Sequence, residues 1–405
     1  MLTLEEAKVL IIDDEPKNIQ VLANTLSEEG YQIEFTTNGL EAVNWATEDK
    51  FDLILLDIMM PELDGYQVCE LIKQNKKSAG IPIIFLTART DQESIVNGFK
   101  AGAVDYITKP FKKDELLARV NTHIKLQKST RKINKLYDET LESLRYAKNI
   151  QKTILPSPKI LNSILPNNFI FYNQRDIVGG DFFWIKELEN KIYLAVGDST
   201  GHGVPGAMMS VLGVSILNNI FFRIKKNEKA SKIVEYFYEQ LVSYSLSDVS
   251  NNNDSIELGL YIIDIKTKQV QFSANNFQTI IVSDKPKINS QILKTEKIKY
   301  IIEKSEEKTV EYLKVLSGLM NNEGKANIEF TIDTNDKIYL FSDGITDQFG
   351  GEKNKKINRK GILNIIKRYS NISILHQEHK IIKEFIDWKG ENEQVDDLIL
   401  LGFSL

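Results

Sequence analysis

The chain has 405 residues, of which 42% are hydrophobic and 26% charged, and its formal net charge at pH 7 is −5. This composition is typical of a globular protein with two or three domains, so long disordered segments are not expected. The acidic balance, without a long basic block, argues against nucleic acid as a partner, and the single cysteine, Cys69, excludes an intramolecular disulfide framework.

We also expect no membrane span, because no apolar run approaches the roughly 18 residues that a span requires. The N-terminus runs into a strand-like segment without a charged-then-apolar leader. The expectation is therefore a soluble, cytoplasmic protein.

From residue 8 to about 124, five apolar runs of strand length alternate with amphipathic stretches of helix length. The runs are KVLIID, YQIEFTT, FDLILLD, IPIIFLTA and DYITK. Fully apolar strands separated by helices indicate a parallel sheet that is covered on both faces. Residues 1–124 are therefore predicted to form an α/β domain with a five-stranded, doubly wound parallel sheet.

Residues 125–157 are predicted to form a helical linker. They have no strand pattern, and residues 126–160 carry 8 Lys and Arg against 3 Asp and Glu. One seam follows alternating spacings of four and three, which favours a weak coiled coil and hence a homodimer. The alternative is a single helix packed on a neighbouring domain. The seam residues are Leu126, Thr130, Ile133, Tyr137, Thr140, Leu144, Ala147, Gln151 and Ile154.

Residues 158–405 are predicted to form an α+β β-sandwich flanked by helices. Strand patterns occupy 169–177, 181–188 and 191–198, and two hairpins are expected at 258–275 and 326–344. Helices are expected at 204–222, 229–246 and 359–388, and the segment DDLILLGFSL closes the chain as a strand. The organisation of residues 284–325 is not apparent from the pattern.

Chemistry-bearing residues of the first domain fall at the carboxyl ends of its predicted strands, where such sheets place their sites. Asp13 and Asp14 end the first strand, Asp57 the third, Thr87 the fourth and Lys109 the fifth. Three carboxylates at one edge repel one another and require a hard divalent cation. The lysine and the hydroxyl could then neutralise a phosphoryl group on one carboxylate.

This segment resembles the receiver domain of two-component response regulators, through LIIDDE, LILLDIMMPELDGYQVC, IIFLTA and DYITKPF. The resemblance implies that Asp57 is the phosphoacceptor and that a sensor histidine kinase is the phosphodonor. It implies that Mg²⁺ is bound by Asp13, Asp14, Asp57 and the backbone carbonyl of Met59. It also implies that Lys109 and Thr87 contact the phosphoryl group, that Tyr106 is the switch aromatic, and that the Lys109–Pro110 peptide is cis.

In the last domain, residues 201–206 match the G-x-G-x-x-G pattern of a dinucleotide-binding turn. Asp198 lies just ahead of the loop, and no acid follows about twenty residues later to bind a ribose, so this interpretation fails. Acids instead recur where strand patterns meet Gly-rich or polar breaks. Hard oxygen ligands of this kind favour two Mg²⁺ or Mn²⁺ ions over zinc. These acids are Asp181, Asp198, Asp343, Asp347, Asp396 and Asp397.

The motifs NIQKTILPS, RDIVGGDFFW, DSTGHGVPGAMMS, YLFSDGITDQFGG and WKGENEQVDDLILLGF resemble the metal-dependent serine/threonine phosphatases (PP2C-like), in their bacterial sporulation-phosphatase and stress-regulator branch. The resemblance implies a catalytic, metal-ligating set of Asp181, Asp198, Asp343 and Asp396, with the backbone carbonyl of Ser199. Asp397 is a candidate supporting group. His202 is either a group behind the metal loop or an ordinary loop histidine, and Arg175 is a candidate phosphate contact, with a surface or salt-bridge role as the favoured alternative.

Two other functions are possible readings of these motifs. RDIVGGDFF is close to the Gly-Gly-Asp-Glu-Phe signature of diguanylate cyclases, but a Phe replaces the Glu. A catalytically inactive phosphatase fold, acting as a phosphorylation-gated binding module, would be expected to have lost a ligand aspartate. The sequence therefore favours a response regulator whose output is a phosphatase, with an anti-sigma-factor antagonist (STAS-type) as the substrate that the resemblance implies.

Overall fold

The structure is a computed structural model that describes residues 7–88, 92–224, 227–245, 255–288, 298–304, 308–315 and 327–405. Its internal contacts divide the chain into two units, Met1–Thr140 and Leu141–Leu405. Each unit is described by itself.

Unit 1 alternates strands and helices around one parallel sheet. The strands are β1 (Lys8–Ile12), β2 (Gln32–Thr36), β3 (Leu53–Asp57), β4 (Ile83–Thr87) and β5 (Asp105–Thr108). The helices are α1 (Pro16–Ser27), α2 (Gly39–Glu48), α3 (Gly65–Gln74), α4 (Gln92–Lys100) and α5 (Lys113–Ile154). The strand order is β2-β1-β3-β4-β5, and every pairing is parallel. The predicted five-stranded, doubly wound sheet is confirmed.

The sheet of unit 1 is buried on both faces, which explains its continuous apolar runs. All five residues of β3 and all five of β4 are buried. Alternate residues along β3 belong to two separate hydrophobic clusters, one on each face, with Ile54 in one and Leu55 in the other. Cys69 lies in the first cluster, where burial raises the pKa of its thiol to about 11, as expected for a core residue.

The last helix of unit 1 continues without a break through the predicted linker. Helix α5 has 42 residues and ends at Ile154, so the predicted boundary at residue 124 falls inside it. The seam divides into two parts. Leu126, Ile133 and Tyr137 are exposed, whereas Gln151 is buried and Ile154 packs against a core cluster of unit 2. The later part therefore follows the alternative of a helix packed on a domain.

Unit 2 is built on two antiparallel sheets. The first has the order β14-β10-β9-β8-β7 and the second the order β12-β13-β11-β15-β18-β6. The strands are β6 (Asn168–Asn173), β7 (Phe182–Leu188), β8 (Lys191–Ser199), β9 (Ile256–Asp264), β10 (Gln269–Asn275), β11 (Gln278–Ser283), β12 (Ile298–Lys304), β13 (Thr309–Val315), β14 (Ile328–Thr331), β15 (Lys337–Phe341) and β18 (Leu398–Phe403). Two-residue strands, β16 (Phe349–Gly350) and β17 (Lys355–Lys356), pair separately.

Helices flank the two sheets. They are α6 (Pro158–Ile164), α7 (Gly203–Phe221), α8 (Ala230–Ser245), α9 (Asp343–Asp347), α10 (Asn358–Tyr369) and α11 (Ile374–Lys389). One hydrophobic cluster joins the two sheets, as Leu194 of β8 and Leu340 of β15 illustrate. A second joins the first sheet to α7 and α8, and a third joins the second sheet to α10 and α11. The predicted β-sandwich flanked by helices is confirmed.

Two local predictions for unit 2 are wrong, and one strand was not predicted. The hairpin expected at 326–344 does not form, because β14 pairs with β10 in the first sheet and β15 pairs with β11 and β18 in the second. The helix expected at 359–388 is interrupted at residues 370–373, where the backbone turns between α10 and α11. Strand β11 was not predicted; all six of its residues are buried, so it lacks the alternation that marks a half-exposed strand.

Helix α7 corrects the expectation that no apolar segment is as long as a membrane span. It has 19 residues, none of them charged, which by length and composition is enough to cross a membrane. The core helices of soluble proteins share these properties, and α7 is partly buried. Val214, Leu217 and Ile220 of α7 pack in the core of unit 2, as in such a helix.

Candidate functional site

The predicted receiver residues meet at the carboxyl edge of the unit 1 sheet. Asp13 follows β1, Asp57 ends β3, and carboxylate oxygens of Asp13, Asp14 and Asp57 lie within 4.8 Å of one another. The Lys109 Nζ lies 2.8 Å from an oxygen of Asp13 and 2.8 Å from one of Asp57. An all-oxygen set with a lysine beside it fits Mg²⁺ and a phosphoryl group.

Asp57 is buried beneath this edge. Burial raises the pKa of its carboxyl, and the ion pair with Lys109 opposes part of that rise. The Met59 amide donates to Asp57 Oδ1 at 3.4 Å. At Gly65, a Cβ would lie 2.3 Å from the Asp57 carbonyl oxygen, so only glycine fits behind the phosphoacceptor candidate.

The candidate switch residues lie on the neighbouring strands. Thr87 ends β4 and is buried, and Tyr106 of β5 is half-buried and packs edge-on against Phe99. Both Thr87 and Tyr106 line one small pocket. The Lys109–Pro110 peptide that follows β5 is cis, as the resemblance implied.

In unit 2, five of the six predicted acids come from both sheets and meet at one end of the sandwich, whereas Asp347 forms an ion pair with Lys356. Asp181 immediately precedes β7, Asp198 is the next-to-last residue of β8, and Asp343 begins α9 directly after β15 and Ser342. Asp396 and Asp397 immediately precede β18, which pairs with β15. The strand ends therefore bring together residues that are far apart in sequence.

The structure brings the four predicted aspartates into one electrostatic cluster. Burial raises the pKa of Asp198 well above its ordinary value, and the charges of Asp181, Asp343, Glu257 and Asp396 raise it further. Burial likewise raises the pKa of Asp181, although the Ser342 hydroxyl donates to its Oδ2 at 2.6 Å. Buried carboxylates that repel one another in this way are a donor set that divalent cations stabilise.

Asp397 holds the loop that precedes Asp181. Its Oδ1 accepts a 2.7 Å hydrogen bond from the Arg175 amide, and its Oδ2 accepts one from the Gly180 amide. A Cβ on Gly179 would lie 2.5 Å from Asp397 Oδ2. Asp397 thus organises the loop that precedes Asp181.

The glycines after Asp198 allow close backbone packing. Ser199 Oγ donates to the carbonyl of Gly180 at 2.8 Å and to that of Gly206 at 3.1 Å. A Cβ on Gly206 would lie 2.2 Å from the Gly201 carbonyl oxygen, and Gly201 has a φ of 87°. The loop is therefore a sharp strand-to-helix turn behind Asp198, where α7 begins.

His202 and Arg175 lie at the rim of this turn. His202 precedes α7, is half-exposed, and its Nδ1 lies 2.8 Å from Asp176 Oδ2. The Arg175 guanidinium donates to the Val395 carbonyl at 3.0 Å. Both side chains are thus tied to loops that border the acidic cluster, and neither is among the metal-ligating groups found in the described residues.

Two residues of this region were not predicted as functional. Glu257 of β9 has a carboxylate oxygen within 4.8 Å of those of Asp198 and Asp343. The place of Glu257 in this cluster could not be recognised from sequence, because it follows from the register between β9 and β8, which puts Glu257 opposite Asp198. Gln151 appeared only as a seam residue; its Nε2 donates to the Gly179 carbonyl at 2.6 Å and to Ser210 Oγ at 2.8 Å.

Comparison with known proteins identifies a family for most of unit 1. The response regulator receiver domain family matches residues 9–121. Transcriptional regulatory protein ResD of Bacillus subtilis is 41% identical over 129 residues, which are 32% of this chain and 52% of ResD. A probable cyclic di-GMP phosphodiesterase of Vibrio cholerae is 40% identical over 126 residues, 31% of this chain and 28% of that protein. The chain spans about half the length of the transcriptional relatives it matches.

A solved structure covers the larger share of the chain. The SiaA-PP2C domain of Pseudomonas aeruginosa superposes with a TM-score of 0.56 at 24% sequence identity, covering 67% of this chain and 98% of that domain. At this identity the likeness establishes the fold alone.

Proposed function

Because residues 9–121 are a response regulator receiver domain, followed by a unit with the PP2C fold, we propose that the chain is a two-component response regulator whose output is a metal-dependent protein serine/threonine phosphatase. The observation that carries this proposal is the convergence of Asp181, Asp198, Asp343 and Asp396 from both sheets. Such a buried acidic cluster is costly to fold without cations.

In this proposal, Asp181, Asp198, Asp343, Asp396 and the Ser199 carbonyl would hold two Mn²⁺ or Mg²⁺ ions. Bound ions of this kind would acidify a water for in-line attack on a phosphate ester. The chain's own residues position the ligands: Ser342 donates to Asp181, and Asp397 holds the Gly180 amide. The proposed substrate is a phosphoserine or phosphothreonine protein, of the anti-sigma-factor antagonist class.

Asp57 is the proposed phosphoacceptor, with Mg²⁺ held by Asp13, Asp14, Asp57 and the Met59 carbonyl, and a sensor histidine kinase as phosphodonor. Lys109 already contacts Asp57, which supports its role beside a phosphoryl group. Thr87 and Tyr106 are the proposed switch pair. The exposed part of the α5 seam supports a homodimer, and we propose a cytoplasmic location without membrane or nucleic-acid partners.

The enzyme proposal is tested by Mn²⁺-dependent hydrolysis of p-nitrophenyl phosphate. Wild type should hydrolyse the ester, and Asp198→Asn and Asp343→Asn should lower the rate by roughly a hundredfold or more, in the range by which loss of a single electrostatic group reduces catalysis. Asp387→Asn, at an exposed position of α11, is the control. Equal rates in all four proteins would contradict the metal site. Absence of hydrolysis with retained binding to a partner protein would favour the inactive-module alternative.

A further inference from the structure

Glu257 is the residue of the acidic cluster to which no role has been given. It lies on β9 directly opposite Asp198 of β8 in an antiparallel register. Directly opposed residues in such a ladder point to the same face, with Cβ atoms about 4.5–5.5 Å apart, and like charges there are destabilising. Two carboxylates therefore sit side by side in the ladder, in a position that is unfavourable without a compensating charge.

A third carboxylate reaches the same point from the other sheet. Asp343 follows β15, and oxygens of Asp198, Glu257 and Asp343 all lie within 4.8 Å of one another. Hard divalent cations bind oxygen ligands at about 2.0–2.6 Å, so two oxygens on opposite sides of one ion are about 4–5 Å apart. The triangle of oxygens thus has the dimensions of a single coordination sphere.

The Glu257 side chain is also held in place. The Asn276 Nδ2 donates to Glu257 Oε1, and Asn276 itself has a φ of 53°, in the left-handed region that asparagine tolerates. Asn276 directly follows β10, the strand that pairs with β9. The carboxylate is therefore fixed from a neighbouring strand rather than free to turn toward solvent.

Charge counting supports a ligand role. With Glu257, the cluster contains five carboxylates besides Asp397, and two divalent cations would neutralise four of their charges. The extra carboxylate repels a phosphoryl dianion unless it is bound to a cation itself. A Glu at this position is therefore consistent with cation binding. Without a bound cation, its carboxylate would repel the phosphoryl group of the substrate.

We infer that Glu257 is a direct ligand of the ion held by Asp198 and Asp343. The inference rests on the proposed function, because it adds a ligand to the metal centre proposed there. It assigns that ion three carboxylates, one each from β8, β9 and the start of α9.

The test is Mn²⁺ binding by the full chain, measured by isothermal titration and by Mn²⁺ electron paramagnetic resonance. Glu257→Gln keeps the size and removes the charge, and should weaken one class of Mn²⁺ site about tenfold or more. Glu257→Asp keeps the charge on a shorter side chain and should give an intermediate loss. Glu187→Gln, at an exposed position of β7 in the same sheet, should bind Mn²⁺ as wild type does.

Thermal unfolding with and without Mn²⁺ separates a ligand from a merely structural residue. In EDTA, Glu257→Gln should melt at or above the wild-type temperature because a repulsion is removed, and it should gain less from added Mn²⁺. A lower melting temperature in EDTA, with a wild-type Mn²⁺ isotherm, would overturn the inference. Wild type that binds Mn²⁺ but hydrolyses no phosphate ester would overturn the proposed function and leave the Glu257 assignment standing.

Discussion

The side-chain amide of Gln151 donates a 2.6 Å hydrogen bond to the carbonyl oxygen of Gly179, two residues before Asp181. Gln151 lies near the end of α5 and is only 2% exposed, and its amide also contacts Ser210 of α7. One side chain thus joins the end of α5 to the loop that precedes Asp181 and to helix α7, which follows the turn after Asp198.

Gln151→Ala should therefore weaken both folding and metal binding. Loss of a buried donor leaves the Gly179 carbonyl without this partner, which destabilises unit 2 by about 1–3 kcal/mol. Urea unfolding and Mn²⁺ titration measure the two effects. Gln127→Ala is the matched control, since its amide donates to the Gly80 carbonyl from the same helix but within unit 1. Equal effects of the two substitutions on Mn²⁺ affinity would argue against a role for Gln151 at the site.

Asp57 should be the residue that takes up a phosphoryl group. Incubation with acetyl phosphate and Mg²⁺ should add one phosphoryl mass to wild type and none to Asp57→Asn. Asp64→Asn is the control, because Asn also caps a helix N-terminus and Asp64 caps α3. Intact-mass spectrometry measures the adduct. Labelling of Asp57→Asn at the wild-type level would place the phosphoacceptor elsewhere.

The rotational phase between the two ends of α5 should affect how the receiver domain controls the phosphatase rate. Two residues inserted near Leu141 shift the phase by about 200°, since a helix turns about 100° per residue. Beryllofluoride, which mimics a phosphoryl group on an aspartate, should change the phosphatase rate of wild type but not that of the insertion variant. Insertion of seven residues, which nearly restores the phase, should recover the response. A normal response in the two-residue variant would exclude coupling through helix register.

Gly206 should tolerate no side chain. A Cβ there would lie 2.2 Å from the Gly201 carbonyl oxygen, and backbone atoms cannot move away as a flexible side chain does. Gly206→Ala should lower stability by about 1–3 kcal/mol and reduce Mn²⁺ affinity, because the turn that carries Ser199 must shift. Gly80→Ala, where a Cβ meets no atom within 4 Å, is the control. Thermal melts that agree between the two variants would disprove the packing argument.

Metal removal should reveal the repulsion in the acidic cluster. The pKa values of Asp181 and Asp198 are raised above 3.8 by burial. At pH values between the ordinary and the raised pKa, these two carboxyls stay protonated in the folded protein but are ionised in the unfolded chain. The free energy of unfolding therefore falls as the pH rises through this range. In EDTA, wild type should lose more stability than Asp198→Asn as the pH is raised from 4, and Mn²⁺ should remove the difference. If wild type and Asp198→Asn lost stability equally with rising pH in EDTA, repulsion within the acidic cluster would be contradicted.

The receiver site could be predicted almost entirely from sequence because parallel strands place their carboxyl ends at one edge. Asp13, Asp57 and Lys109 each follow or end an apolar run, and their meeting needs only the sheet. The acids that meet in unit 2 were also identified from sequence, but from motifs and not from geometry.

Sequence reasoning failed where an interaction depends on long-range register or on the choice between sheets. Glu257 is unremarkable until β9 is aligned opposite β8, and β14 and β15 look like a hairpin until each pairs in a different sheet. Gln151 resembled a weak coiled-coil position because its buried partners, Gly179 and Ser210, lie 28 and 59 residues away.

The most direct test of the account is phosphate release from a phosphoserine protein by the full chain in Mn²⁺, with and without beryllofluoride. Wild type should release phosphate only with the metal, and beryllofluoride should change its rate. Asp57→Asn should keep the basal rate without that response, and Asp198→Asn should lose activity under both conditions. Metal-independent release, or an identical beryllofluoride response in wild type and Asp57→Asn, would contradict a receiver-controlled, metal-dependent phosphatase.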